Sequence, residues 1–113
     1  KTDAFYLGVQ PVLRISGDIE GTPGILIVGP KGSENISKGV IVAKRHLHIE
    51  DELGESWGLK NNSIISVRVS GSRSLIFNEI LVRRGKGHKL ALHFDTDEGN
   101  AADLKTGDVV ELL

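Results

Sequence analysis

The chain has 113 residues, 39% of them apolar and only 4% aromatic, which suits one small soluble domain and excludes a multi-domain reading. Fourteen Lys and Arg against fifteen Asp and Glu leave a net charge of −1, without the basic excess of a nucleic-acid-binding module. No cysteine is present, so disulfide scaffolds, thiolate zinc fingers, iron–sulfur sites and cysteine nucleophiles are excluded, and the four histidines are the only side chains offering nitrogen to a metal.

The chain begins at Lys1 without a signal-like segment, which reads as a trimmed or processed piece of something longer. Its longest apolar runs fall far short of the ~20 residues that cross a bilayer, so no membrane span is expected. Short β-branched runs predict strands over 13–15, 25–28, 39–45, 64–69, 74–83, 89–94 and 109–112. Gly29-Pro30-Lys31-Gly32 marks a tight turn at the end of the second of these strands. Two short helices are expected over 50–57 and 97–103, each with acidic residues early and a Leu-Lys turn behind it. The pattern predicts a mainly β fold, a small β-barrel with short capping helices.

An internal repeat organises the second half of the chain. Laying His48-Ile49-Glu50-Asp51-Glu52 over His93-Phe94-Asp95-Thr96-Asp97, an offset of 45 residues, matches Gly54 with Gly99, Leu59 with Leu104 and Lys60 with Lys105. It also matches Ile64 with Val109 and Val67 with Leu112, so both copies read strand, helix, turn, strand. Two such copies predict a pseudo-twofold barrel in which equivalent residues near the axis meet. His48 and His93 are equivalent by this overlay.

Lys44-Arg45-His46-Leu47-His48 closes an apolar strand, and the two-residue period sends His46 and His48 to one face and Leu47 to the other. With Cα atoms ~7 Å apart, the two imidazoles can converge on one ion. His93, at the end of another predicted strand, is the candidate third ligand, and an open fourth position would make the site catalytic. Asp95, Asp97 and Glu98 stand close enough in sequence to orient an imidazole from behind. Beside this stands the plainer reading of His46 and His48 as hydrogen-bonded, chemically idle histidines at a strand end.

Arg83-Arg84-Gly85-Lys86-Gly87-His88-Lys89 is a basic glycine-containing turn able to attract a polyphosphate tail, or simply a solvated hairpin loop. His88 within it is expected to face solvent and is not taken as a ligand. The glycine-proline segments 21–24 and 29–32 lack the spacing and following helix of a phosphate loop. No serine stands at a predictable distance from a histidine to suggest a triad. Trp57 is expected to pack its helix against the barrel.

The segments Gly17-Asp18-Ile19-Glu20-Gly21-Thr22-Pro23-Gly24, Val28-Gly29-Pro30-Lys31-Gly32, the run from Gly39 to His48, and His93-Phe94-Asp95-Thr96-Asp97-Glu98-Gly99-Asn100-Ala101-Ala102 together resemble the bacterial phosphate propanoyltransferase (phosphotransacylase) family. The resemblance covers essentially the whole chain. It implies two related β-barrels with a site between them, and a zinc-dependent enzyme that moves a propanoyl or acetyl group between coenzyme A and inorganic phosphate. His46 and His48 match the family's second His-x-His pair, and His93 matches the remaining histidine of that zinc site. The family's earlier His-x-His pair, a zinc-binding glutamate and a phosphate-binding arginine would all lie upstream of Lys1, so the chain resembles the C-terminal portion of the enzyme.

The resulting expectations are specific. Residues 1–40 would pack with the missing N-terminal barrel, and residues 41–113 would form the C-terminal barrel carrying the His-x-His motif. Zinc would sit on His46, His48 and His93, with coenzyme A bound as substrate and its phosphates met by Arg83, Arg84, Lys86 and Lys89. Acyl-CoA and phosphate would be the small-molecule partners, and a homodimer is admitted. The isolated chain would be inactive until completed. The setting would be the bacterial cytoplasm or a bacterial microcompartment, the latter in propanediol degradation. A non-catalytic metal-binding or assembly barrel is the alternative.

Overall fold

A computed structural model describes residues 1–113. Where composition led us to expect one domain, the chain forms two compact units, Lys1–Lys44 and Arg45–Leu113. The reason lies in where apolar side chains can be covered. Every residue of the buried cluster, from Leu47 to Ala102, belongs to the second unit. The first unit buries only Ala4 and Thr22.

In the first unit, a short helix α1 (Thr2–Tyr6), not foreseen from the sequence, precedes β1 (Val12–Arg14). β1 pairs in parallel with β4 (Ile41–Ala43). Between them β2 (Ile25–Gly29) and β3 (Gly32–Ile36) form an antiparallel hairpin through the expected Pro30-Lys31 turn, with Gly29 opposite Gly32. β3 was not foreseen because Ser33-Glu34-Asn35 is polar and every β3 side chain is exposed. Gly24 admits no side chain, since a Cβ would lie 2.0 Å from the Ile36 carbonyl oxygen. The buried Thr22 hydroxyl closes the hairpin's base: it donates to the Ile19 carbonyl at 2.6 Å and accepts from the Gly39 amide at 2.9 Å. This satisfies a polar group that would otherwise be costly to bury.

The expected strand over 39–45 divides in two. The Lys44 amide donates to the Arg14 carbonyl, whereas the Arg45 carbonyl accepts from the Leu81 amide. The chain therefore leaves one ladder and enters another between adjacent residues. The histidines begin the second ladder, in β5 (His46–Ile49).

The second unit is a five-stranded sheet in the order β8-β5-β7-β6-β9, curled into a half-barrel. The remaining strands are β6 (Ile64–Val69), β7 (Leu75–Arg84), β8 (Ala91–His93) and β9 (Glu111–Leu112). Helices α2 (Asp51–Ser56) and α3 (Thr96–Ala102) connect β5 to β6 and β8 to β9. The ten-residue β7 lies at the centre, parallel to β5 and antiparallel to β6. Its Ile80 and Val82 are fully buried and, with Ile49, form the heart of the core.

The repeat is written into the hydrogen bonding. β5 and β8 pair antiparallel with His46 opposite His93, Leu47 opposite Leu92 and His48 opposite Ala91. Shifting the first pair by the offset, His46 forward and His93 back, gives Ala91 and His48, the third pair, so a twofold axis passes between Leu47 and Leu92. β6 and β9 obey the same rule, with Val67 opposite its own equivalent Leu112. Turn bonds recur at the offset: the Leu59 amide donates to Gly54 as that of Leu104 does to Gly99, and Ser63 to Lys60 as Asp108 does to Lys105. Left-handed backbone recurs too, at Gly58 and Asp103 and again at Asn62 and Gly107.

Candidate metal centre

β5 alternates as its sequence demands, with Leu47 and Ile49 buried in the core and His46 and His48 half-buried on the opposite face. The pairing with β8 then sets His93 directly across from His46. The ring centroids of His46 and His93 are 4.8 Å apart and nearly parallel, at 11°. His48 lies 4.8 Å from His46 and 4.9 Å from His93. One ring nitrogen from each of the three lies within 4.8 Å of the others. Two ligands of a tetrahedral zinc at ~2.1 Å stand ~3.4 Å apart, so modest side-chain rotation closes the remaining gap.

The donor set fits a metal on a second ground. Nε2 of His48 is buried and meets no hydrogen-bond partner, a costly state for a ring nitrogen unless it serves as a ligand. Burial, and then the neighbouring His46, His93, His88 and Arg83, push the His48 pKa below the ordinary 6.5. Burial and His46 lower that of His93. Both rings are thereby held neutral at neutral pH, the form in which an imidazole lone pair can bind a metal.

His88 is a correction. Rather than facing solvent, it is half-buried, and its ring stacks on His48 with centroids 4.7 Å apart and planes 16° from parallel. Its Nδ1 lies 3.2 Å from the Arg83 carbonyl, a hydrogen bond that requires the proton on Nδ1. The basic turn folds back because Gly85 has no Cβ: one there would meet the His88 ring at 2.7 Å.

Two of the carboxylates expected behind the imidazoles are engaged elsewhere. Asp95 caps α3, accepting from the Glu98 amide at 2.7 Å, while the Glu98 carboxylate accepts from the Asp95 amide at 3.1 Å. Glu98 also pairs with Arg45 at 2.9 Å, and that guanidinium lies 5.3 Å from the Phe77 ring centroid. The segment just before the His-x-His motif is thus tied to the helix that follows His93.

Of the four cations in the basic turn, Arg84 holds the turn in place. It pairs with Glu55 at 2.9 Å and donates to the Leu59 and Asp51 carbonyls. The Gly87 amide donates to Glu50 at 2.7 Å, clamping the turn onto the end of β5. Lys86 and Lys89 are exposed and Arg83 is half-buried. Trp57 is 46% exposed, so it is not the packed helix anchor its sequence suggested. It lines a cleft of about 980 Å³ that runs along β8, α3 and β9.

Fold and cluster together define a mainly β protein built on a twofold repeat, with three imidazoles gathered where a strand of each copy meets across the axis. The chain belongs to the phosphate propanoyltransferase family, whose model matches residues 1–105. It is 52% identical over 114 residues to the phosphate propanoyltransferase of Thermotoga maritima, covering 100% of this chain and 54% of that protein. It is 50% identical to that of Sebaldella termitidis, covering 94% of this chain and 50% of the relative. With that of Lachnoclostridium phytofermentans it shares 40% identity, over 99% of this chain and 53% of the relative. The chain spans about half the length of these relatives.

Proposed function

We propose that this chain is the C-terminal part of a zinc-dependent phosphotransacylase that moves a propanoyl or acetyl group between coenzyme A and inorganic phosphate. The observation that carries the reading is the convergence of His46, His48 and His93, with an orphaned Nε2 on His48, in a chain of the phosphate propanoyltransferase family. His46, His48 and His93 would hold the metal as neutral imidazoles. A zinc ion there would act as a Lewis acid, polarising the thioester carbonyl or stabilising the departing thiolate. Three protein ligands would leave a position open, as acyl transfer needs.

The chain's own residues contribute positioning. Glu98 fixes Arg45 beside the His-x-His strand, and the capping box fixes the turn that follows His93. Arg83, Lys86 and Lys89 are the cations with reach toward the phosphates of coenzyme A, while Arg84 braces the turn that presents them. Residues 1–40 would pack against the N-terminal barrel of the complete enzyme, with residues 41–113 as the C-terminal barrel. Supporting this, Phe5 and Tyr6 are 80% and 81% exposed and Val28 is 72% exposed. Such surfaces are normally covered by a partner. We place the enzyme in the bacterial cytosol or a microcompartment; no helix here is long and apolar enough to cross a membrane.

The alternative, a non-catalytic metal-binding or assembly module, draws on those same exposed residues. Metal content by mass spectrometry of untagged chain, His46→Ala and His93→Ala separates idle histidines from ligands. About one zinc per chain, lost in both variants, is the expected result; equal metal in all three removes the site. Phosphate-dependent release of coenzyme A, assayed after the other half of a relative is added, then separates enzyme from module.

A further inference from the structure

The four histidines form two stacked pairs, and one of the pairs reaches outside the metal-binding set. His46 and His93 lie face to face, 11° from parallel with centroids 4.8 Å apart, so each braces the other. His48 is tilted by 45° and 54° to those two rings, and neither lies flat against it. The ring that does is His88, 4.7 Å away and 16° from parallel. A brace matters at this position. The χ2 torsion of a histidine is broad and roughly twofold, so the β5 backbone alone does not fix the plane of the His48 ring. Its buried Nε2 meets no hydrogen-bond partner that could hold it. A second ring lying flat on it admits only those orientations that preserve the plane, the plane in which a His48 nitrogen lies within 4.8 Å of those of His46 and His93.

His88 is in turn tied to the residues around His48. Arg83 lies directly opposite His48 in the β5–β7 ladder, and its carbonyl accepts from Nδ1 of His88 at 3.2 Å. The Gly85 amide donates to the Ile49 carbonyl, and the His88 amide to the Gly85 carbonyl, each at 3.1 Å. The Gly87 amide donates to Glu50. Every anchor of the turn thus belongs to the two residues after His48, to its ladder partner or to the turn itself. The imidazole can lie there because Gly85 leaves room: a Cβ would meet Cε1 of His88 at 2.7 Å and Nε2 at 2.9 Å. With Nδ1 given to a carbonyl and the Cε1–Nε2 edge against Gly85, His88 stays outside the group of three whose nitrogens gather round one point.

We propose that His88 is a positioning residue for the metal centre: by stacking on His48 it holds that imidazole in the plane from which it ligates, without being a ligand itself. A ligand already held in its bound orientation loses less conformational freedom when the metal arrives, so the stack raises affinity through His48 and not through a bond of its own. The inference rests on the reading of His46, His48 and His93 as a zinc site, and it adds what presets the one ring that the other two do not brace.

The test is the zinc affinity of the untagged chain, measured by competition with a chromophoric chelator, together with the cobalt(II) absorption spectrum and the imidazole count from X-ray absorption. His88→Ala is expected to weaken zinc binding ~10-fold, the lower end of the ~10–100-fold range for residues that support a ligand. Its cobalt bands should shift and broaden while the imidazole count stays that of the unmodified chain. His88→Phe keeps a ring and lacks the donor, and is expected to recover most of the lost affinity. His88→Asn keeps a donor and lacks the ring, and should fall with alanine. Gly85→Ala pushes the ring off its seat without touching either histidine; it should reproduce His88→Ala, and it serves as the test should the His88 variants fail to fold. Affinity unchanged in His88→Ala, or restored by asparagine and not by phenylalanine, overturns the stacking role while leaving the metal centre intact. A fourth imidazole in the unmodified chain that disappears in His88→Ala makes His88 a ligand and also overturns it. An unmodified chain that binds no zinc overturns the metal reading and this inference together.

Discussion

The two copies in the second unit have matching turns and matching strand pairing, yet they are unequally buried. In the first copy Leu47, Ile49 and Val67 are 7%, 0% and 3% exposed; in the second, Leu92 and Phe94 are half-buried and Leu112 is 38% exposed. The difference is β7, which lies against the first copy and has no counterpart beside the second. Amphipathic pattern determines which face a residue takes, and neighbouring elements determine whether that face becomes core. The sharpest way to break the comparison is to truncate the same side chain in each copy. Leu47→Ala is expected to cost about 2–5 kcal/mol in urea unfolding, the range for a buried leucine. Leu92→Ala should cost less than half of that in the chain alone. Equal costs would mean that the second copy is already as well packed as the first.

A second asymmetry makes the metal centre. The axis relates His48 to His93, but it relates His46 to Ala91, so three imidazoles stand where full symmetry would set four. Binding free energies of ~10–16 kcal/mol shared over three protein ligands put ~3–5 kcal/mol on each, so the loss of one is worth at least ~100-fold in affinity. Truncating His46 is expected to have that effect. Ala91 lies directly opposite His48. Ala91→His should therefore supply a fourth ligand, retain zinc against a chelator that strips the unmodified chain, and abolish acyl transfer in the completed enzyme by filling the open position. Faster loss of zinc from Ala91→His would show that the copies do not face one ion.

How far this was legible from the sequence depends on whether the cause was local. The facing of His46 and His48 followed from the two-residue period, and His93 from an overlay that the β5–β8 register then realised. His88 was missed because a fold-back turn leaves no periodic trace. Glycine at 85 was the available signal, since the ring returns over it and a Cβ there would meet the ring at 2.7 Å. The single strand expected over 39–45 failed for a non-local reason: residues on both sides of Lys44 are extended, and only their partners, Arg14 and Leu81, reveal two ladders. Nearness in sequence makes Asp95 a candidate to orient an imidazole, yet its spacing to Glu98 is that of a capping box. Local helix chemistry had the stronger claim on it.

The histidines also set a pH dependence. Their folded pKa values are lowered from 6.5, so near and below that pH the unfolded chain binds more protons than the folded one. Stability of the metal-free chain is therefore full above about 6.5 and is lost as pH falls through 6.5 toward the lowered folded values. Urea midpoints of the chelated chain should drop between pH 7.5 and pH 5.5. His48→Gln should flatten that slope most, since burial, three neighbouring imidazoles and Arg83 all act on this ring. An unchanged slope in His48→Gln would assign the pH dependence to His93 instead.

The smallest expected effect is also the one that reverses sign between the copies. Gly54 and Gly99 sit at the same place in α2 and α3, and alanine is favoured over glycine in a helix by ~0.8–1.0 kcal/mol. At Gly99 the added methyl meets nothing closer than 3.8 Å, so Gly99→Ala should raise the chain's stability by up to about that amount. At Gly54 the methyl would press on three Arg84 side-chain atoms at 2.9 to 3.0 Å. That guanidinium is held by Glu55 and two carbonyls and cannot move aside without losing them. Gly54→Ala should therefore be destabilising by ~1 kcal/mol, the helical gain being outweighed by disrupted bonds to a charged group. Urea unfolding of both variants checks this, and an alanine at 99 that destabilises as much as one at 54 would mean that the two helices are equally crowded.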